Sequence, residues 1–287
     1  MSTAIRSLQT SARLDTNQPL SGPQLEHILT TFSAAFADPE KAYKHHLLLR
    51  KRRASGMGIK ASTNPFWLSP TLTQWSSSRD SSLAIIKGAF NSRPAILDFG
   101  TSMIQSLSAS TTPMLWVLTS AEKPAFGSGM LTPTDLMKYL TYQALRLSSQ
   151  ARTAAPTEGH MALRHSQFGT AETAKEWFDL FMQVVASIPR ERVCLVVDLA
   201  AVCSGSAPGA RPEAFNFVQE LHRRMVSSPD DDASRRGATK LKVVLLLYEA
   251  NGFGQLPKEV SKFVVPVKVT KSKTLRASRG RGRGRGR

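Results

Sequence analysis

The chain has 287 residues, 41% of them hydrophobic, which is enough to bury a sizeable core as one large domain or two small ones. Its net charge of +17 is uneven: residues 1–62 carry +5, residues 63–267 only +3, and residues 268–287 carry +9. The nearly neutral middle gives no support to a domain whose whole face is built to bind nucleic acid. The apolar runs are far shorter than the roughly 20 residues that span a bilayer, so no membrane contact is expected.

The amino-terminal residues 1–22 are predicted to be disordered, because they are polar and have no continuous apolar core. Their two arginines and several Ser and Thr residues leave an organellar transit peptide as an alternative. Only two cysteines occur, Cys194 and Cys203, and their spacing is not that of a pair. A reduced intracellular chain is therefore expected, in the cytoplasm or the nucleus.

Residues 23–54 are predicted to form a basic helical arm, since their apolar residues recur at helical spacing and Asp38-Pro39 breaks or restarts the helix. The arm ends in a basic cluster of Arg50, Lys51, Arg52 and Arg53. Three interpretations of this cluster stay open: a solvated helix end, a nuclear import signal and a phosphate-binding patch. Residues 55–65 contain Gly, Ser, Asn and Pro and are predicted to be a linker.

Residues 66–269 alternate short apolar runs with longer amphipathic ones. The short runs are rich in Val, Ile and Leu and predict five strands: Leu83–Lys87, Met114–Thr119, Val193–Leu199, Lys242–Tyr248 and Phe263–Val269. The amphipathic runs predict helices Pro94–Ser108, Thr134–Leu147, Ala171–Ile188 and Pro212–Val226. Strands that are apolar on both faces are typical of a covered parallel sheet. The predicted fold class is therefore α/β, an open five-stranded, mostly parallel sheet with helices on both faces and ligands beyond the carboxyl ends of its strands.

The stretches "SLAIIKGAFNSRPAILDFG", "MLWVLTS", "HMALRHSQFGTAETAKEWFDLFMQVVASIP" and "VCLVVDLAAV", in this order, resemble fungal proteins related to the NACHT-type, STAND-class P-loop NTPase domain. The resemblance covers residues 65–270. It implies a first strand followed by a phosphate loop, a third strand ending in an acid, and a fourth strand with a sensor position. ATP or GTP with Mg²⁺ is the cofactor that such a domain implies.

The loop after the first strand lacks the parts that hold a nucleotide. A working phosphate loop reads G-x-x-x-x-G-K-[ST], in which backbone N–H groups, a lysine and a hydroxyl hold the phosphates and magnesium. Counting from Gly88, the second glycine is Arg93, the lysine is Pro94 and the hydroxyl is Ala95. Losing one charge-assisted contact of about 1.5–3 kcal/mol weakens binding roughly tenfold to a hundredfold. Weak anion binding by the loop stays open, and its candidate residues are Lys87, Gly88, Asn91, Ser92 and Arg93.

Asp198 ends the third predicted strand and matches the acid that holds magnesium in the resembled fold. Leu199 follows it where many hydrolytic relatives carry a second acid, and Glu249 after the fourth strand has no identifiable partner. Asp198 is therefore either a magnesium anchor or a hydrogen-bonded acid at a strand end. The combined differences predict a pseudo-NTPase that does not hydrolyse nucleotides.

Residues 270–287 end in "RASRGRGRGRGR" and have no apolar side chain after Ala277, so a disordered Arg/Gly-rich tail is predicted. Alternating Arg-Gly resembles segments of RNA-associated proteins, whose guanidinium groups reach phosphates and stack on exposed bases. A tail that only improves solubility is the alternative. The candidate RNA or polyanion contacts are Arg279, Arg281, Arg283, Arg285 and Arg287.

Together these features predict a non-catalytic, NACHT-like interaction or scaffold module with a basic tail that binds RNA or another polyanion. One alternative is an ATP or GTP switch that uses Arg93 and Asp198 in an atypical site. Another is an RNA-binding protein whose α/β body positions the tail. The sequence does not identify a protein partner.

Overall fold

The structure, a computed structural model, describes residues 20–55, 62–119, 131–154, 163–202, 215–226, 239–248 and 256–270. Residues 1–19 and 271–287 lie outside these ranges, and with them most of the two segments predicted to be disordered. Leu20 is described and is buried, with its N–H donating to the Leu163 carbonyl at 2.8 Å. The packed chain therefore begins before residue 23, where the sequence places the boundary.

The core of the fold is a five-stranded parallel sheet. Its strands and those of a small ribbon are β1 (Ser62–Thr63), β2 (Ser82–Gly88), β3 (Met114–Val117), β4 (Arg192–Asp198), β5 (Lys240–Tyr248), β6 (Val264–Val267) and β7 (Val269–Thr270). The sheet runs in the order β3-β4-β5-β2-β6, and every neighbouring pair is parallel. The prediction of an open α/β sheet is confirmed, and all five strands rather than most are parallel. Strands β1 and β7 pair separately and antiparallel.

Helices cover both faces of the sheet. They are α1 (Gly22–Ala35), α2 (Pro39–Ser55), α3 (Pro70–Ser77), α4 (Arg93–Ala109), α5 (Pro133–Ala154), α6 (His165–Thr170), α7 (Ala174–Ala186) and α8 (Phe217–Val226). Side chains of α2, α3 and α4 pack on one face, and those of α1, α5, α7 and α8 pack on the other. None of these described helices is both long enough and apolar enough to cross a bilayer.

Helix α7 shows how local sequence determines an element. The Thr173 hydroxyl accepts from the Glu176 N–H at 3.3 Å, and the Glu176 carboxylate accepts from the Thr173 N–H at 2.9 Å. This reciprocal cap starts the helix three residues after the predicted Ala171, because it satisfies N–H groups that have no partner inside the helix. The aromatic and branched residues that follow at helical spacing are buried: Trp177, Phe178, Phe181, Val184 and Val185.

The predicted basic arm is part of the body of the protein. Residues 23–54 form two helices, with the break before Pro39, and α1 and α2 lie on opposite faces of the sheet. The indole N–H of Trp116 on β3 donates to the Pro39 carbonyl at 3.1 Å, which fixes the start of α2. Both helices are therefore packed on the domain: Leu25 and Ile28 of α1 are buried in the core cluster that includes α5 and α7, and Ala42 and Tyr43 of α2 are partly buried against the cluster on the other face. The predicted linker also contains β1, which pairs with β7.

The described elements that follow the neighbouring strands β2 and β5 pack on opposite faces of the sheet. Strand β2 leads to α4 on one face, whereas the turn that precedes β6, Lys258–Phe263, contributes Val260 to the core on the opposite face. Adjacent parallel strands whose connections leave on opposite sides open a crevice between them, and ligands of open α/β sheets bind in such crevices. This places the search for a site at Gly88 and Tyr248, which lie side by side.

Candidate functional site at the carboxyl ends of the strands

The loop between β2 and α4 is closed by its own hydrogen bonds. Residues Phe90–Ser92 form a 3₁₀ turn, in which the Ser92 N–H donates to the Ala89 carbonyl at 2.9 Å and the Arg93 N–H donates to the Phe90 carbonyl. A phosphate loop instead directs such N–H groups at its ligand. Two of the groups that would hold an anion are therefore already bonded within the loop.

The Ser92 side chain fills the space beneath this loop. It is buried, and its hydroxyl donates to the Ala89 carbonyl at 2.6 Å. A Cβ added at Gly88 would overlap the Ser92 hydroxyl oxygen and would lie 2.9 Å from the Ile96 Cδ1. A larger residue at position 88 would therefore force the Ser92 and Ile96 side chains to move.

Arg93, the predicted substitute for the missing lysine, points inward. Its Nη2 donates to the Thr119 hydroxyl at 3.3 Å, and its guanidinium carbon lies 5.6 Å from the centre of the Tyr248 ring. Its Nε is buried and has no hydrogen-bond partner among the described residues. The guanidinium group thus contacts the ends of β3 and β5 and does not line an open phosphate site.

Asp198 is fully buried, and both of its carboxylate oxygens are bonded. One accepts from the Thr119 hydroxyl, and the other accepts from the Ala200 N–H at 3.0 Å. Burial raises the pKa of Asp198, while the Thr119 hydroxyl, the Ala200 N–H and the nearby Arg93 charge oppose the shift. The structure places Asp198 as a hydrogen-bonded acid at a strand end.

Helix α2 adds His46 to this cluster. The ring is 4% exposed, and its Nε2 lies 2.7 Å from the Thr119 carbonyl oxygen. A carbonyl only accepts, so Nε2 carries the proton, and the buried Nδ1 has no partner in the described part of the chain. Burial lowers the pKa of His46, opposed by its bond to Thr119 and by the Asp198 charge. His46 therefore acts as a neutral donor that fixes α2 to the end of β3.

Asp198 should make stability depend on pH in a defined direction. Since the pKa is raised on folding, ionisation costs more in the folded than in the unfolded protein, and stability is lost as pH rises from about 4 through the folded pKa. The free energy of unfolding of Asp198→Asn, relative to that of the wild type, should therefore increase as pH rises over this range. Urea unfolding at intervals from pH 4 to pH 8 measures the difference between the two proteins.

The matched control is Asp80→Asn, because the Asp80 side chain is 84% exposed. We expect its difference from the wild type to be nearly constant with pH. A constant difference for Asp198→Asn would contradict the assignment of a raised pKa.

The residues at the strand ends do not fit a nucleotide with its magnesium ion. Two loop N–H groups, those of Ser92 and Arg93, are bonded internally, and both oxygens of Asp198 are bonded within the protein. In the ranges that the structure describes, no three His, Cys, Asp or Glu side chains are grouped to hold a metal ion. The arrangement is that of a satisfied buried polar network, which fixes the relative positions of its elements.

The other predicted anion-binding residues face a separate groove. Lys87, Gly88 and Asn91 line a cavity of about 380 Å³ beside β6, whose far wall includes Lys268. Gly88 thus separates two regions of different character. Ser92 and Arg93 lie toward the buried network, and Lys87 and Asn91 lie toward the groove.

The basic cluster at the end of α2 is divided by the packing. Arg53 forms an ion pair with Asp98, and Arg50 donates to the Gln105 side chain at 3.2 Å. Lys51 and Arg52 are exposed. Only half of the cluster is therefore directed to solvent, because the other half attaches α2 to α4.

Several predicted residues lie outside the described ranges: Cys203, Glu249, Arg279, Arg281, Arg283, Arg285 and Arg287. Their predictions stay predictions. Sequence reasoning missed His46 and Thr119 as members of the network. Thr119 had a detectable signal as the polar residue that ends a predicted strand, whereas nothing local marks His46.

The fold and this site define an open, all-parallel α/β domain with a closed turn at the position of a phosphate loop. No protein-family model matches the chain, and no curated protein matches it. The NACHT-type resemblance therefore rests on the motif order alone.

Proposed function

We propose that the chain is a non-catalytic, NACHT-like P-loop module that serves interaction or scaffolding, with a basic tail that binds RNA or another polyanion. The observation that carries the proposal is the closed loop. The N–H groups of Ser92 and Arg93 bond within the loop, and the Ser92 side chain occupies the space against Gly88. An anion would have to break these bonds before it could bind, which subtracts from its affinity.

Titration of the purified full chain with ATP and GTP, with and without Mg²⁺, tests the proposal. We expect no saturable binding tighter than about 1 mM, a dissociation constant equivalent to about −4 kcal/mol. Calorimetry measures this directly, and Asp198→Asn and Asp80→Asn should behave as the wild type. Micromolar binding that Asp198→Asn alone removes would favour the alternative of a nucleotide switch.

Binding of a polyanion has its own support in the body of the protein. Lys87 and Lys268 flank the groove beside β6, and neither has a carboxylate within ion-pair distance among the described residues. Free ammonium groups beside a backbone groove attract phosphate. Nucleotide hydrolysis is not needed for this function.

A further inference from the structure

The groove beside β6 lies at the carboxyl ends of β2 and β6, outside the buried network. Its volume is about 380 Å³, which lies within the range of small-ligand sites. Its lining consists of Lys87, Gly88, Ala89, Asn91, Val264, Pro266, Val267, Lys268 and Val269. None of these residues is acidic.

The positively charged rim of the groove is held in place by Asn64. The Asn64 side-chain oxygen accepts from the Lys268 N–H at 2.7 Å, and its side-chain nitrogen donates to the Pro266 carbonyl at 3.2 Å. The Asn64 N–H donates to the Lys268 carbonyl at 3.0 Å. Three hydrogen bonds to this segment fix its backbone, so the Lys268 side chain starts from a defined position in the groove that Lys87 also lines.

The groove also lies where the basic tail begins. Strand β7 ends at Thr270, and residues 268–287 carry nine Lys or Arg and no Asp or Glu. A strand of nucleic acid that binds the tail is therefore held at high effective concentration beside the groove. The two parts can act as one surface without a long linker between them.

We propose that this groove binds the phosphodiester backbone of single-stranded RNA whose flanking nucleotides are held by the Arg/Gly-rich tail. The inference rests on the proposed function and assigns Lys87, Asn91 and Lys268 as the contacts of the body. Lys87 and Lys268 neutralise phosphate, and the exposed Asn91 amide donates to phosphate oxygens or sugar hydroxyls.

Single-stranded RNA fits this surface better than a lipid membrane does. The tail has no apolar side chain after Ala277 that could enter a bilayer, whereas its arginines can stack on unpaired bases. The groove is recessed between strand ends, so a flexible backbone enters it more readily than a flat lipid surface.

The test compares full-length variants by fluorescence anisotropy with a labelled single-stranded RNA of mixed sequence, over a series of salt concentrations. The double variant Lys87→Ala/Lys268→Ala should make the slope of log affinity against log salt shallower by about 1.4, since each phosphate contact on a single strand contributes about 0.7. If the variant and the wild type bind equally at 1 M salt, a slope difference of about 1.4 over one decade corresponds to a roughly 25-fold lower affinity of the variant at 0.1 M salt.

The matched control is Lys41→Ala/Lys44→Ala, which removes the same charge from exposed side chains of α2. We expect it to leave the slope nearly unchanged. If the two double variants had equal slopes of log affinity against log salt, the proposal that the groove binds RNA would be wrong, because the net charge of the protein alone would then explain binding. Both variants should retain the wild-type melting temperature, and a groove variant that unfolds is replaced by Lys87→Gln/Lys268→Gln.

A third variant, lacking residues 279–287, separates the groove from the proposed function. If the shortened protein loses affinity for RNA and the groove variant does not, the tail binds RNA and the groove does not. The groove proposal is then wrong, whereas the proposed function stands. If neither variant changes affinity, polyanion binding by the tail fails as well. Sedimentation with phosphatidylserine vesicles completes the test, and vesicle binding without RNA binding would also overturn the proposal.

Discussion

Replacing Lys242 with Met should destabilise the protein by about 2–4 kcal/mol, because three acceptors lose their charged donor. Lys242 is 2% exposed on β5, and its ammonium group donates to the Trp75 carbonyl at 2.8 Å, the Ser78 carbonyl at 2.6 Å and the Ser82 hydroxyl at 2.9 Å. The first two acceptors lie at the carboxyl end of α3, where carbonyls have no partner inside the helix.

Thermal unfolding followed by circular dichroism measures this effect. A loss of that size lowers the melting temperature by roughly 5–15 °C in a protein of this length. Lys240→Met is the control in the same strand. Lys240 is partly exposed and lies 3.9 Å from the exposed Asp80, so its loss should cost at most about 0.5 kcal/mol. Equal changes in melting temperature for the two variants would show that the hydrogen bonds of Lys242 between β5 and α3 do not stabilise the protein.

Gly88→Ala should destabilise the protein by about 1–3 kcal/mol, the usual cost of forcing an extra methyl group into a packed site. The new Cβ would overlap the Ser92 hydroxyl oxygen and would crowd Ile96. Ser92→Gly removes that obstacle, and its own cost is the lost bond to the Ala89 carbonyl, because the Ser92 side chain makes no capping bond to α4. The double variant should therefore be more stable than the sum of the single effects predicts.

Urea unfolding of the four proteins in this cycle gives the coupling energy, which we expect to be at least about 0.5 kcal/mol. Gly169→Ala in α6 is the control, because a Cβ there meets no atom within 4 Å. If Gly88→Ala were as well tolerated as Gly169→Ala, the loop would have room beneath it. That result would remove the main support for a closed, non-catalytic loop.

The closed loop and the basic groove give the two sides of Gly88 different roles. On one side, hydrogen bonds of Arg93, Asp198 and His46 to Thr119 join α2, α4 and the carboxyl ends of β3 and β4. On the other side, Lys87 and Lys268 remain free of described carboxylates. The loop after β2 is thus closed by its own hydrogen bonds, and the groove beside it is the surface that we propose binds a polyanion.

The sequence by itself determined the class of fold and the five strands of its sheet, but it did not mark α3, α6 or the ribbon of β1 and β7. Runs that are apolar on both faces define parallel strands, since only a sheet covered on both sides buries them. Apolar residues at helical spacing in α7 mark the face of the helix that covers the sheet. The substitutions at Arg93, Pro94 and Ala95 were also readable, because a phosphate loop is a contiguous motif.

Only the tertiary structure decided how the loop and the basic helix are used. His46 lies 73 residues from Thr119, and Thr119 lies 79 residues from Asp198, so no local pattern encodes their contact. The same holds for Lys268, which lines the same groove as Lys87 because β6 pairs with β2. Local periodicity specifies which residues are buried, whereas the meeting of polar side chains at strand ends depends on strand order and on where each connecting helix packs.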